Sequence, residues 1–182
     1  MRMTMDELTQ LLRQIERSAF RLETRSEYNA PGEAALFRAF FEGKALPPRN
    51  PETDPWLRMT ADSVNAGRIW RRVHVVQRPL SRYLQFELIG YLGNQLAGED
   101  IRIASRDDQP GPLDELNLDF WMLDDGTVFV MHYDQDNRLV DIEPATTNAD
   151  AFRKQRDLAL AHSIPLADYL PTARDELLRS SW

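Results

Sequence analysis

The chain has 182 residues, which is enough for one domain with a substantial core and too few for two domains of ordinary size. Its 29 acidic and 22 basic residues give a net charge of −7, which argues against a general nucleic-acid or anionic-membrane binder. Cysteine is absent, so disulfides, thiol catalysis and cysteine-ligated metal centres are excluded. The sequence shows no secretion signal and no apolar run of membrane-spanning length, so we expect a cytoplasmic protein.

The first predicted element is an amphipathic helix. Thr4 and Glu7 form a T-x-x-E capping box, which is typical of a helix start. Apolar residues then recur at helical spacing, and the pattern predicts one helix that continues to about Thr24. These apolar positions are Leu8, Leu11, Leu12, Ile15, Ala19 and Leu22.

Two shorter helices are predicted next. The apolar stretch 36–41 lies between loops rich in proline and glycine, which is typical of a short helix. Asp54 and Pro55 then suit the N-cap and the first position of a further helix, which Gly67 is placed to end.

A strand, a helix and a strand follow in that order. The hydrophobic period changes to two over residues 69–76, which predicts a strand. Pro79 opens the clearest helix of the chain, and residues 101–104 predict a second strand, so the three elements form a parallel βαβ unit. Gly90 and Gly93 are unfavourable inside this helix, and we expect them to permit a close approach of the helix to the sheet.

The remaining chain predicts an antiparallel meander followed by helices. Asp125-Gly126 is a strong hairpin signal between two apolar strands. The predicted strands cover residues 118–123, 127–133 and 139–142, and the predicted helices cover 148–163 and 166–170.

We therefore predict an α/β (α+β) fold. A mixed sheet made of one βαβ unit and an antiparallel three-strand meander is flanked by N- and C-terminal helices. A single globular domain over residues 1–171 and a polar C-terminal tail over 172–182 complete the prediction.

Most strong catalytic motifs are absent from the sequence. It contains no P-loop, no dinucleotide-binding glycine pattern and no nucleophile elbow. The three histidines are scattered, and Asp134-x-Asp136 begins like a calcium loop but lacks the glycine and glutamate that such a loop needs. We therefore predict neither a cofactor nor a metal site.

Charge is distributed unevenly along the chain. Residues 58–82 contain six arginines and one aspartate, whereas residues 107–143 contain eleven acids and one arginine. These two blocks either pair across neighbouring strands or border a shared cleft. In the second case, Arg72 and Arg82 would bind the phosphate or carboxylate group of a ligand, and Arg102 on the next strand is a further candidate.

A second candidate site lies on the meander. Asp119 and Trp121 fall on the same face of one strand, so a carboxylate could lie beside an aromatic wall, where desolvation favours acid–base chemistry. His132 and Asp134 on the next strand could join Asp119 as catalytic or metal-binding groups. The alternative is a buried tryptophan whose indole N–H is satisfied by a carboxylate.

A third candidate is a polar stripe on the clearest helix. Tyr83 and Glu87 are four residues apart, and Asn94 lies seven residues further on nearly the same face. Such a stripe marks either the solvent boundary of the helix or a surface for a ligand or partner.

Several longer motifs resemble a known family. They are Glu16–Glu23, Pro79–Glu87, Asn94–Arg102, Asp119–Asp124, Met131–Asp134 and Arg156–Leu160. With these motifs the chain resembles an uncharacterised actinobacterial family, a domain of unknown function whose members are often encoded near helix-turn-helix regulators. The resemblance implies a regulatory or accessory role and supplies no catalytic residues.

The order of strand, helix, strand and hairpin also resembles half of a phospholipase D-like domain. The chemistry of that family needs an H-x-K-x4-D motif. Lys44 and Lys154 are the two lysines here, and neither stands two residues after a histidine. Likeness of fold alone implies no activity.

Two functions are therefore kept open. The favoured hypothesis is a non-enzymatic regulatory or accessory protein, which acts through a protein partner such as a DNA-binding helix-turn-helix regulator and does not bind nucleic acid generally or membranes. The alternative is a hydrolase or nuclease-like enzyme acting on a phosphate-bearing substrate, with Asp119, His132 and Asp134 as its catalytic groups.

Overall fold

The computed structural model describes residues 3–108, 110–145 and 149–177. The strands are β1 (Ser18–Glu23), β2 (Ile69–Val76), β3 (Asp100–Ser105), β4 (Asp119–Leu123), β5 (Thr127–Tyr133), β6 (Leu139–Pro144) and β7 (Ile164–Pro165). The helices are α1 (Met5–Arg13), α2 (Ala34–Phe41), α3 (Pro55–Asn65), α4 (Arg82–Leu96), α5 (Ala149–Ala161), α6 (Leu166–Thr172) and α7 (Arg174–Leu177). Short 3-10 turns occur at Pro31–Glu33 and Pro112–Glu115.

The seven strands form one mixed sheet in the order β6-β5-β4-β1-β2-β3-β7. Strands β1, β2 and β3 are parallel, while β4, β5 and β6 form an antiparallel meander that joins the parallel part through β1. The predicted α/β class, the βαβ unit of β2, α4 and β3, and the meander are confirmed.

The prediction of one N-terminal helix up to Thr24 is wrong. Helix α1 ends at Arg13, and Ser18–Glu23 is instead the central strand β1. At the start of this strand, the backbone N–H groups of residues 16–18 do not take part in helical hydrogen bonds. They donate to the side-chain carboxylate of Asp124 at 2.7–3.2 Å.

The predicted start of α1 and both predicted ends of α3 are confirmed. The Thr4 side chain accepts from the Glu7 backbone N–H, and the Glu7 carboxylate accepts from the Thr4 backbone in return. Asp54 caps α3, and Gly67 follows that helix with a φ of 88°, which glycine adopts at little cost. The predicted start of α4 at Pro79 is wrong, because the helix begins at Arg82 after Ser81, whose hydroxyl accepts from the Leu84 backbone.

The two faces of the sheet are covered differently. One face packs against α5 through an apolar cluster that includes Phe20, Leu22, Val73 and Phe120. The opposite face has two apolar clusters, one beneath α1 and α3 and one beneath α4 and α6. Buried charged side chains of β1 and β2 lie between those two clusters and form the base of the site described below.

The C-terminal part extends the core beyond the predicted domain. Helix α7 follows α6 directly, and the Leu177 side chain is buried. The start of the predicted helix at residue 148 and the end of the predicted tail, residues 178–182, lie outside the described residues. Within the described residues, no helix is both long and apolar enough to cross a membrane.

The glycines of α4 lie against the loop around Arg49, and not against the sheet as expected from the sequence. A Cβ at Gly93 would stand 2.8 Å from the Arg49 carbonyl oxygen, whereas a Cβ at Gly90 would make an ordinary contact of 3.5 Å with the Arg49 side chain. The two positions therefore form a matched pair on one helix.

We expect Gly90→Ala to raise the free energy of unfolding by up to about 1 kcal/mol, because alanine favours the helix. Gly93→Ala is expected to lower it by about 1–3 kcal/mol, because the added methyl group meets backbone that must shift. Urea denaturation of both variants measures the difference. Equal effects at the two positions would contradict the close approach.

Candidate functional site

Two arginines lie side by side on the charged part of the sheet. Arg21 of β1 and Arg72 of β2 are register partners, so both side chains point to the same face. Both are almost fully buried, with side chains 4% and 9% exposed. Buried guanidinium groups need partners that replace water, and three carboxylates supply them.

Glu23 and Glu99 hold Arg72 in place. The Arg72 Nη1 atom lies 2.9 Å from Glu23 Oε2, and Nε lies 2.9 Å from Glu99 Oε1. Glu23 also pairs with Arg21 at 3.4 Å. Burial alone would raise the pKa of Glu23, but the adjacent Arg72 and Arg21 hold it well below its usual range. Glu23 is therefore ionised at neutral pH.

Asp119 holds the other side of Arg21. Its Oδ2 atom lies 3.1 Å from Arg21 Nη2, and it also accepts the Tyr28 hydroxyl. Its Oδ1 atom accepts from the backbone and the hydroxyl of Thr24 at 2.9 and 2.8 Å. Four hydrogen-bond donors thus occupy this carboxylate, which fixes the end of β1 against the start of β4.

Helix α4 adds polar groups above the network. The Asn94 amide donates to Glu99 Oε2 at 2.6 Å and accepts from Arg49 Nη1 at 2.9 Å. The Tyr91 hydroxyl lies 2.7 Å from both Glu23 Oε2 and His74 Nδ1.

His74 is a structural histidine. Burial lowers its pKa, so the ring is neutral at physiological pH. Its Nε2 atom lies 2.9 Å from the Arg25 carbonyl oxygen, so this nitrogen carries the proton and Nδ1 faces the Tyr91 hydroxyl. Both ring nitrogens are occupied, which leaves none for catalysis.

An open cleft of about 570 Å³ lies over this network. Arg21 and Arg72 line its base, and both guanidinium carbons lie 5.8 Å from the centre of the Trp121 ring. Tyr133 on one side accepts from Arg21 Nη2 at 3.1 Å. The Arg21 Nη1 atom is buried but has no hydrogen-bond partner among the described residues. This donor is enclosed by protein and is not exposed to the cleft.

The far end of the cleft is acidic. The Tyr83 hydroxyl lies 3.1 Å from Glu33 Oε2 and 3.2 Å from Glu87 Oε2, so two carboxylates compete for one proton. Burial and the neighbouring Glu23 and Glu33 raise the pKa of Glu87 to about 7. Burial, Glu87 and Glu33 also raise the pKa of Tyr83, so its hydroxyl stays protonated.

The cleft continues into a second open groove of about 820 Å³, beside α2. Tyr28, Glu33 and Tyr83 line both cavities. Arg82 lines only the second groove, where its guanidinium carbon stacks 4.1 Å from the centre of the Phe41 ring. The two cavities form one continuous surface on this side of the molecule.

The structure brings together five of the eight residues predicted to bind a ligand or partner. Arg72, Tyr83, Glu87, Asn94 and Trp121 all line the cleft. The other three lie elsewhere. Asp119 belongs to the network at the base, Arg82 lies in the adjoining groove, and Arg102 bonds Ser163 from the opposite face of the sheet.

The three residues predicted as an alternative catalytic set are not assembled. Asp119 pairs in register with Met131, so the next residue, His132, points to the opposite face. His132 lies at the surface and contacts Glu143 at 2.9 Å. The Asp134 carboxylate accepts from backbone N–H groups of the turn that follows it.

The hypothesis that the basic and acidic blocks pair with each other is also wrong for their main members. Arg72 pairs with Glu23 and Glu99, which lie outside the acidic block. Acids of that block instead bind residues from elsewhere, as Asp119 binds Arg21 and Asp125 binds Arg156. The reason is that β1 separates β2 from β4 in the sheet.

Sequence reasoning missed Arg21, Glu23, Tyr28 and Glu33. The signal for the first two was present as the alternation of Phe20 and Leu22 with two charged residues. Tyr28 and Glu33 lie in or next to a loop, and only the tertiary structure brings them beside α4.

A family model for the domain of unknown function DUF6879 matches residues 6–171. The chain belongs to the DUF6879 family. Comparisons with curated proteins and with solved structures find no match. The match covers every residue that lines the cleft except Met5, together with the supporting strands. The likeness to a phospholipase D-like half-domain stays a prediction. Among the described residues, no three potential ligands cluster in a way that could hold a metal ion.

We expect Arg72→Met to lower the free energy of unfolding by about 3–5 kcal/mol, because it leaves two buried carboxylates without their cation. Arg71→Met is the matched control. Its side chain is 41% exposed and pairs with Asp100 at the surface, so we expect a loss below about 1 kcal/mol. Chemical denaturation measures both values. Similar losses would show that the buried network stabilises the fold no more than a surface ion pair does.

The Glu87 carboxyl makes stability depend on pH. The folded chain keeps this proton up to about pH 7, whereas the unfolded chain releases it near pH 4.5. The free energy of unfolding therefore falls as the pH rises from 4.5 to 7. Relative to the natural chain, Glu87→Gln should therefore gain about 2–3 kcal/mol between pH 4.5 and 8. Denaturation at several pH values measures the difference, and parallel pH profiles would contradict the prediction.

Proposed function

We propose that this DUF6879 protein is a non-enzymatic binding protein with a regulatory or accessory role, and that the cleft is its recognition surface. The observation that carries the proposal is the open cleft of about 570 Å³, whose lining combines arginines, acids and aromatic rings above a fixed ion-pair network. A concave surface with a few fixed polar groups is where proteins most often bind ligands and partner segments.

Two features support binding over catalysis. Two groups of the network that could act as a base have fixed partners, since both ring nitrogens of His74 contact protein groups and Asp119 accepts four hydrogen bonds. The residues of the alternative hydrolase, Asp119, His132 and Asp134, share no site. The chemistry of the cleft is therefore that of recognition.

The partner in this proposal is another protein. The cleft and the adjoining groove are both open and share lining residues, and together they present aromatic, acidic and basic groups, which suits a polypeptide segment. The resemblance to actinobacterial proteins encoded near helix-turn-helix regulators adds a specific candidate, a DNA-binding regulator. The role of this chain would then be to bind the regulator, and not to bind DNA itself.

Affinity capture with the full chain tests the proposal. Arg82→Ala/Arg138→Ala removes two exposed cations from the rim of the groove and cleft, and we expect at least a tenfold loss of the partner regulator retained by the natural chain. Lys154→Ala/Arg174→Ala is the control, because it removes the same charge from exposed positions outside both cavities. Equal retention by the two variants, or no retention by the natural chain, would reject the proposal.

A further inference from the structure

One hydrogen-bond donor of the ion-pair network stays open to the cleft. Arg72 donates from Nε to Glu99 and from Nη1 to Glu23, each at 2.9 Å. Its third nitrogen, Nη2, has no hydrogen-bond partner among the described residues, and unlike Arg21 Nη1 it is not enclosed by protein. The Arg72 side chain is only 9% exposed and lines the cleft, so Nη2 is the donor that it presents to a ligand there.

Two tryptophans of the cleft also have donors without acceptors. Trp56 and Trp121 both line the cleft, and their ring centres lie 6.0 Å apart. Neither indole N–H has an acceptor among the residues that the structure describes, and neither is enclosed by protein. The buried Trp70 differs, because its indole N–H donates to Ser63 at 2.9 Å. A ligand group that accepts hydrogen bonds therefore suits this part of the cleft.

The charges that line the cleft favour an anion. Four arginines line it against three glutamates. Burial together with Glu23 and Glu33 raises the pKa of Glu87 to about 7, so this carboxyl carries only part of a negative charge at neutral pH. The side chains of Arg49 and Arg138 are 41% and 60% exposed, so they can attract an anion from solvent.

Apolar side chains surround these donors. Trp56, Met131 and Leu139 line the cleft and belong to the apolar cluster beneath α1 and α3. Apolar contacts around a polar anchor are typical of the centre of a protein interface. The cleft therefore suits a polypeptide segment in which apolar residues flank a polar one.

We propose that the cleft binds an acidic side chain of the partner protein, a glutamate or aspartate whose carboxylate accepts from Arg72 Nη2. Apolar residues beside it in the partner pack against Trp56 and Leu139. This inference rests on the proposed function and names the chemistry by which the partner is recognised. A carboxylate fits better than a phosphate dianion, because Arg72 already contacts two carboxylates and a second negative charge on the ligand would add repulsion.

Titration of the full chain with blocked tripeptides, followed by NMR, tests the inference. The probe is acetyl-Leu-Glu-Leu-amide, and two comparison peptides carry glutamine or lysine in place of glutamate. We expect the glutamate peptide to bind about tenfold more tightly than the other two, because only its carboxylate makes a charge-assisted hydrogen bond. The indole N–H signals of Trp56 and Trp121 should shift on binding, whereas that of Trp70 should not.

Substitution of Arg72 tests the donor itself. Arg72→Lys removes the open nitrogen and keeps a positive charge between Glu23 and Glu99, and we expect it to weaken the glutamate peptide about tenfold. Arg71→Lys is the matched control. Arg71 is the next residue along β2 and pairs with Asp100 at the surface, so its replacement should change the affinity less than about twofold.

Glu87→Gln gives a second test with a chain that is expected to be more stable than the natural one. Ionised Glu87 attracts Arg72 and repels a bound carboxylate, so we expect the affinity of the natural chain to fall about threefold from pH 6 to pH 8. The variant should lose this dependence and bind about threefold more tightly than the natural chain at pH 8. The peptide carboxylate stays ionised over this range. The other polar and charged groups around Glu87 are Tyr83, Tyr91, Glu23, Glu33, Arg49 and Arg72.

Three results would overturn the inference. They are no binding of the glutamate peptide, equal or tighter binding of the glutamine or lysine peptide, and an affinity that neither Arg72→Lys nor Glu87→Gln changes. None of them decides the proposed function, because that function is judged separately by retention of a whole partner protein on the rim variants. A result against the acidic anchor can therefore be told apart from a result against the binding role.

Discussion

The buried ion-pair network around Arg21 and Arg72 is the constraint on which the rest of the site depends. Two guanidinium groups on adjacent strands would repel each other and lose their hydration, and only carboxylates in direct contact can offset this. Those carboxylates come from three different parts of the chain, namely β1, the residue before β3, and β4. The network therefore joins the parallel part of the sheet to the antiparallel part through side-chain contacts.

The same network fixes the register of β1. A slip of one residue would turn Arg21 and Glu23 into the apolar cluster beneath α5. Charge without a partner in that cluster would cost several kcal/mol at the least, on the order of a lost buried ion pair. The network therefore holds the base of the cleft in one shape.

Much of the fold could be predicted from local patterns, and its central strand could not. From residue 69 onward, alternation, turn signals and helix caps indicated the order of the longer helices and strands, but they did not indicate the short β7 and α7. At β1, Ala19 and Leu22 happened to continue the helical spacing of the preceding residues, and the tertiary contact that ends the helix, from Asp124, is more than 100 residues away in sequence. Local reasoning has no access to such a contact.

That one error explains why Arg21 and Glu23 were missed in the site. Without β1, the strand of Arg72 and the strand of Asp119 look like neighbours, and their opposite charges look like partners. The residue types on β2, β4 and α4 still indicated five of the groups around the cleft, because polar side chains on apolar elements are unusual.

The cleft keeps one unfavourable feature in its wall. Glu33 and Glu87 both lie within 3.2 Å of the single Tyr83 hydroxyl, and burial and the nearby acids Glu23 and Glu33 raise the pKa of Glu87. This arrangement costs free energy that an apolar side chain would avoid. Unfavourable polar groups that remain together in a cleft are typical of sites kept for binding at the expense of stability.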